Sequence, residues 1–504
     1  MNSCDELFLQ AEKNENEAIL FEVETDSSIT YGDLRRRIVR LAAHLRRFGV
    51  GPKQSVVIHL YNSIDAVVVH LATQYLGARS CFVDALVQPK SLGYYIDITD
   101  CRVLVSHISP STLTPSLTAD VTLIHADNIG ALSTEPPSST APILRGEATP
   151  YHWDPDEVCY IYFTSGTTNI PKGVMLSMRN HENFTRICDK YWQPVTVESK
   201  HISFVPFSHG FGTVFLVPLA IRTRSKLYIM RAFHPLRVVD TIERHGITHI
   251  YGVPSHYQQL LRLPDAKIRL KGLEMAFCAA AKLEHQLMLR WEATTGVILC
   301  EGYGLIETCC GIVWRVGTRS KGTGHMGPCP DKSLIEIRIL DENLSEVPPG
   351  TTGQIAVKGK SVMKGYLKNP EETERIIQNG WLLSGDKGYL TEDGELFMTG
   401  RIKDIINIAG IKVSPYEIEA VLHQHPDVAE VAVVAAPDAL YGEVAKAFVR
   451  KESNANTTER ELIRFASERL ISFQVPKYID FVDEFPLNNM GKLDRKKLRT
   501  LSTF

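Results

Sequence analysis

Residues 162–173 read Tyr-Phe-Thr-Ser-Gly-Thr-Thr-Asn-Ile-Pro-Lys-Gly. Four hydroxyl side chains, Thr164, Ser165, Thr167 and Thr168, surround Gly166, and Lys172 follows behind Pro171. Hydroxyls and glycine-exposed backbone N–H groups form a cradle for phosphate oxygens. A lysine beside it places a point charge on the same anion. A Ser/Thr/Gly-rich surface turn is the plain alternative. The order of residues excludes a Walker A loop, which needs Gly-Lys-Ser/Thr opening a helix. Here Lys172 follows a proline and precedes Gly173, so an ordinary P-loop kinase or ATPase is disfavoured.

The flanking chain alternates strand and helix patterns. Thr30-Tyr-Gly-Asp33 has capping-box spacing, and Leu34, Ile38, Leu41 and Leu45 then recur at helical period. The arginines between them lie mostly off that apolar face and read as solvated. Residues 55–61 are β-branched and strand-like, and residues 65–76 are helix-like. This alternation predicts α/β layers. Residues 133–149, rich in Ser, Thr and Pro, read as an exposed connector. After Gly400 a compact α+β unit is expected, with helices over 415–423 and 459–470, a strand over 430–436 and a polar loop over 453–458. The expected division falls at residues 402–404, giving a large N-terminal domain of layered sheets and helices (1–402) and a small C-terminal domain (403–504).

The 504 residues suffice for more than one core, and 44% apolar with 22% charged residues is ordinary for a globular protein. A formal net charge of -3 gives no general nucleic-acid footprint. Ten scattered cysteines without a Cys-x-x-Cys pair read as reduced thiols in the cytoplasm, not as a zinc site or disulfide frame. No signal peptide is legible, and the apolar stretch 214–221 is too short to span a membrane.

Residues 162–173 resemble the phosphate loop of the adenylate-forming superfamily: acyl-CoA synthetases, adenylation domains of peptide synthetases, and luciferases. Four further blocks follow in that family's order: Glu301-Gly-Tyr-Gly-Leu-Ile-Glu307, Trp381-Leu-Leu-Ser-Gly-Asp386, Gly400-Arg-Ile-Lys-Asp404 through Gly410, and Asn489-Met-Gly-Lys492-Leu-Asp-Arg495. Each block alone is weak; five in order are specific. The resemblance implies ATP, Mg2+ and coenzyme A as cofactors and a small-molecule carboxylic acid as partner. Coenzyme A is the expected thiol acceptor, with an acyl carrier protein as the alternative.

The resemblance also implies roles. Thr164, Ser165, Gly166, Thr167, Thr168 and Lys172 would hold phosphates. Ala279, Ala280 and Ala281, with Glu301, Gly302, Tyr303 and Gly304, would border the adenine. Asp386 would accept from the ribose hydroxyls, having two acceptor oxygens, with Arg401 as second ribose contact. Glu307 would ligate magnesium. Lys492 would bridge carboxylate and phosphate in the transition state. His209 would be a gate or wall residue. The acid would lie among Phe207, His209, Gly210, Phe211, Thr213, Val253, Gly302 and Gly304. This lining is small or apolar, and it carries Gly210 where amino-acid-activating relatives carry aspartate, so an aryl or aliphatic acid is expected. Lys403 would be the hinge about which the small domain turns between half-reactions. Gly410 would line the thiol channel.

Three positions depart from the family pattern. Asn169 replaces a glycine, Glu301 a glutamine, and Ile306 a threonine that touches the α-phosphate. Losing that hydroxyl costs roughly 1.5–3 kcal/mol, so slowing is expected; Thr308 is the candidate substitute. A degenerate site that binds nucleotide or acyl ligand without turnover is the reading from another class.

Overall fold

Strand–helix alternation builds two mostly parallel sheets in the computed structural model, which describes residues 3–113, 121–135, 149–164, 170–192, 195–453, 455–488 and 492–502. Among the described residues, one sheet of seven strands runs in the order Gly365–Tyr366, Lys172–Ser177, Val158–Thr164, Arg79–Phe82, Ser55–His59, Val103–Ser106, Thr122–His125. Its last five strands are parallel, and the first three pair antiparallel. A second sheet of eight strands carries Met275–Ala279 and Leu299–Tyr303 as parallel neighbours, edged by the antiparallel strand Val313–Arg315. Parallel strands need crossovers, and buried helices supply them. Ile64–Tyr75 is one such helix: Ser63 accepts from Ala66 N–H at its start, and nearly every side chain is buried.

A third, antiparallel sheet holds Trp381–Leu390 between Gly353–Gly359 and Glu395–Arg401. One 3-10 turn, Ile402–Asp404, then leads into a five-stranded sheet with its own core, in which Ile406, Ile418, Leu422, Val433, Val449 and Leu462 pack. Lys403 lies exposed on that turn. Ion pairs tie this small unit to the large one: Lys282 to Glu419 at 3.6 Å, Arg262 to Glu430 at 2.7 Å, and Arg290 to Glu452 at 3.5 Å.

The expected elements form, with shifted ends. The helix after Thr30 is Tyr31–Arg47, and Thr30 Oγ1 accepts from Asp33 N–H at 3.1 Å. The strand expected to reach 61 stops at His59. The C-terminal elements are Pro415–Leu422, Val428–Asp438 and Glu459–Ser467. The connector expected from 133 begins later. Ser133 and Thr134 close the helix Asp127–Thr134, and buried Ser133 accepts from Arg37 Nε at 2.8 Å. Residues 136–148 lie outside the described residues.

Candidate active site

The ends of strands from the three large-domain sheets carry two chains of contacts, one through Arg401, Asp386 and Tyr303 and one through Lys172, Tyr366 and Glu307. Antiparallel register places Asp386 opposite Arg401, with Arg401 Nε 3.1 Å from Asp386 Oδ1. Tyr303, ending the strand Leu299–Tyr303, donates its hydroxyl to Asp386 Oδ2 at 2.9 Å. Burial pushes the Asp386 carboxyl up, while Arg401 and Tyr303 oppose it. Such a carboxylate, backed by a guanidinium, is a preoriented acceptor for vicinal hydroxyls.

The phosphate-loop segment is flanked by the antiparallel strands Val158–Thr164 and Lys172–Ser177. Thr164 and Lys172 are paired across these two strands. Ser165, Gly166, Thr167, Thr168 and Asn169 lie outside the described residues. Lys172 Nζ is ion-paired to Glu372 and stands 5.3 Å from the centroid of the Tyr366 ring. Tyr366 in turn donates its hydroxyl to Glu307 Oε1 at 2.8 Å, and Glu307 O accepts from Met363 N–H at 2.8 Å. Burial raises the Glu307 carboxyl, with the Tyr366 hydrogen bond working against it. Among the described residues no group of three or more His, Cys, Asp or Glu could hold a metal. Glu307 nevertheless fits magnesium, which typically takes one or two carboxylates and completes its shell with substrate phosphates and water. Thr308 does not replace the hydroxyl missing at Ile306. It is buried, donating to Leu305 O at 3.0 Å and accepting from Leu305 N–H at 3.2 Å.

Lys492 belongs to the small domain and lies beside an antiparallel bridge. Its backbone exchanges hydrogen bonds with Asn488, and Leu487 bridges to Leu493. Burial, then the charge of Arg401, pushes the Lys492 ammonium down to about 8. Burial also lowers His209; Asp84 opposes this and the Lys492 charge adds to it. Lys492 and His209, both half-buried, and the exposed Arg401 therefore lie within electrostatic reach of one another. His209 Nε2 lies 3.6 Å from Asp84 Oδ2, too long for a good hydrogen bond. Burial thus disfavours the charged form of His209.

Several expected contacts are placed differently. Glu301 was expected beside the nucleotide, but its carboxyl is buried 3.8 Å from Arg315 Nη2, with neither oxygen hydrogen-bonded. Burial outweighs Arg315 and pushes it up to about 8. A protonated glutamate has the shape of the glutamine expected there. Ala279 ends its strand opposite Gly302, and Ala280 takes a left-handed φ of 70°. Ala281 follows in the loop to Lys282, whose Nζ donates to Tyr416 O at 3.3 Å.

Of the expected acid lining, Phe207, Thr213 and Val253 are buried, and the Thr213 hydroxyl is held by Tyr162 at 2.6 Å. Phe211 and His209 keep partly exposed side chains. Gly210 has a φ of 76° and sits against Cys310. Gly302 and Gly304 are covered by protein atoms rather than open. Gly410 is exposed at a hairpin turn with φ of 90°, and a Cβ there would meet nothing within 4 Å. In this arrangement of the domains its glycine serves the turn, not a narrow channel.

Sequence reasoning missed Asp84, Tyr366, Glu372 and Cys310. None lies in a motif that singles it out; Asp84, Tyr366 and Glu372 reach the site through long-range packing, and Cys310 follows the Glu307 turn.

Comparison with known proteins gives concordant results. The AMP-binding enzyme family matches residues 7–367, and the AMP-binding enzyme C-terminal domain matches residues 417–492. The chain is 34% identical over 352 residues to a long-chain-fatty-acid–CoA ligase of Bacillus subtilis, covering 68% of this chain and 62% of that protein. It is 28% identical over 478 residues to a feruloyl-CoA synthase of Amycolatopsis sp., covering 94% of each. The ATP-bound crystal structure of MatB from Rhodopseudomonas palustris superposes with a TM-score of 0.88 at 26% identity, covering 99% of each chain.

Proposed function

We infer the reaction from one premise: this chain belongs to the AMP-binding enzyme family. It is an AMP-forming ligase of the acyl-CoA synthetase type. The finer reading is a two-step acid–thiol ligase for a carboxylic acid without an α-amino group. A carboxylate attacks the α-phosphorus of ATP and releases pyrophosphate. The thiol of coenzyme A then takes the acyl group and releases AMP.

Both partners of the first step are anions, so positioned positive charge supplies most of the catalysis. The observation that supports the reading is the half-buried Lys492 within electrostatic reach of Arg401 and His209. Such a lysine is poised to contact carboxylate and α-phosphate together. Arg401 and Tyr303 hold Asp386 for the ribose hydroxyls. Tyr366 orients Glu307. Magnesium, when bound there, would neutralise phosphate charge, with Glu307 as its protein ligand. Lys172 would exchange Glu372 for a phosphate oxygen as ATP enters. No general base is required, because the acid is already ionised near pH 7. For the second step the small domain would turn about Lys403.

Hydroxylamine trapping across a carboxylic-acid panel, repeated with coenzyme A, tests this. Acid-dependent hydroxamate and AMP, then thioester, are expected. Ile306, with Thr308 turned inward, favours a slow enzyme or a degenerate binder as the second reading. Nucleotide binding without AMP release from any acid would select the binder.

A further inference from the structure

The adenylation reading places an acid beside Lys492, and the surrounding rings limit how far that acid extends. The glycines expected to make room for it are already in contact with the chain itself. A Cβ on Gly302 would stand 2.5 Å from Phe277 Cζ and 2.7 Å from Trp314 Cδ1. On Gly311 it would stand 2.6 Å from Trp314 Cζ2. On Gly304 it would collide with the carbonyl oxygen of Cys310. These glycines therefore seat rings and backbone rather than line a void.

The cause lies in the strand register. Trp314 on the edge strand is the cross-strand partner of Gly302, so the indole covers the face that the glycine leaves bare. The ring is held from behind, with centroids 6.0 Å from Phe184 and 6.0 Å from Trp192. Phe277 is 4.8 Å from Trp192 and lies nearly parallel to Phe211 at 6.0 Å. Rings packed on several sides have little room to change rotamer. Near His209, among the described residues, Phe211, Ile306 and Cys310 are partly exposed. A Cβ on Gly210 would stand 2.8 Å from Cys310 Sγ and 3.5 Å from Ile306 Cδ1, so these side chains crowd the glycine.

We propose that Trp314, seated on Gly302, ends the acid pocket, and that the substrate is a short-chain aliphatic acid. This rests on the adenylation reading and adds the substrate class to it. A long-chain or cinnamate-like acid would have to displace Trp314 and Phe277 together, breaking a buried aromatic cluster.

The test is acid-dependent hydroxamate formation by the full chain with straight-chain acids from acetate to palmitate, and with benzoate and ferulate. Wild type is expected to peak at butyrate or shorter, and kcat/KM to fall by about 10–200-fold for each further methylene. Trp314→Ala is expected to move the optimum to longer acids, raising kcat/KM for hexanoate by about tenfold or more with the KM for ATP unchanged. Trp314→Leu, which keeps an apolar filler, should give a smaller shift in the same direction. A wild-type optimum at octanoate or longer, or at benzoate or ferulate, overturns the pocket assignment while leaving adenylation intact. An unchanged optimum in a folded Trp314→Leu or Trp314→Ala enzyme overturns the role of Trp314. Hydroxamate from no acid in the panel overturns the adenylation reading and the pocket assignment with it.

Discussion

Replacing Glu301 with glutamine should make the protein more stable at alkaline pH, by an amount that grows with pH. The carboxyl is 1% exposed, and burial pushes it from 4.5 up to about 8 against the pull of Arg315. Between those two pH values the folded chain keeps a proton that the unfolded chain has released. The slope of stability with pH is then negative, at most about 1.36 kcal/mol per pH unit. The whole window gives an upper bound of roughly 5 kcal/mol, and the interval from pH 6 to pH 8 about 2 kcal/mol. Glutamine fills the same volume and has no proton to lose. Arg315 keeps its other partners, donating to the carbonyls of His325 at 3.3 Å, Thr318 at 2.6 Å and Leu299 at 3.0 Å. Thermal unfolding of wild type and Glu301→Gln, run in parallel at pH 6, 7, 8 and 8.5, measures the effect. The variant should gain on wild type by about 2 kcal/mol between pH 6 and pH 8, or a few degrees in Tm. A gap between the two proteins that stays constant with pH would refute the reasoning, as would a variant that weakens faster toward alkaline pH.

Three further outcomes are expected. Because burial and Arg401 push Lys492 down to about 8, kcat/KM for acid-dependent pyrophosphate exchange should fall as pH rises through about 8; a flat profile to pH 10 would contradict a catalytic ammonium at that position. Tyr366→Phe removes the hydroxyl held by Glu307, a hydrogen bond to a charged group worth about 1.5–3 kcal/mol, and should raise the magnesium concentration needed for half-maximal adenylation; titration at saturating ATP reads this directly. Gly410→Ala strains a φ of 90° by roughly 1–2 kcal/mol in a melt, yet meets no atom in this arrangement, so exchange should persist; thioester formation should drop if the residue lines the thiol channel after the domain turns.

Local patterns were legible because they depend on neighbouring residues. Thr30 caps its helix as the Thr-x-x-Asp spacing suggests, and the apolar positions Leu34, Ile38, Leu41 and Leu45 are all buried. Thr458 and Glu461 form a capping box at the start of a helix expected from pattern alone. The ends of elements were less legible, because the strand at residue 55 stops where its parallel partners stop. The ordered motifs point to Asp386, Arg401, Tyr303 and Lys492 as a set, and the first three are in contact. What surrounds them was not legible. Glu372 meets Lys172 across 200 positions of chain, and Asp84 approaches His209 to 3.6 Å from a distant part of the sequence. The glycines at 302 and 304 suggested room, but a missing side chain can equally admit a ring from another strand. Only the register with Trp314 decides between these outcomes.

The most direct test of the account is acid-dependent ATP–pyrophosphate exchange by Lys492→Ala beside wild type, with AMP binding and Tm as controls. Exchange should fall by about 10²–10³-fold or more, while AMP still binds and Tm is nearly unchanged. Exchange at the wild-type rate in that variant would contradict the assignment of a small-domain lysine as the charge that brings two anions together.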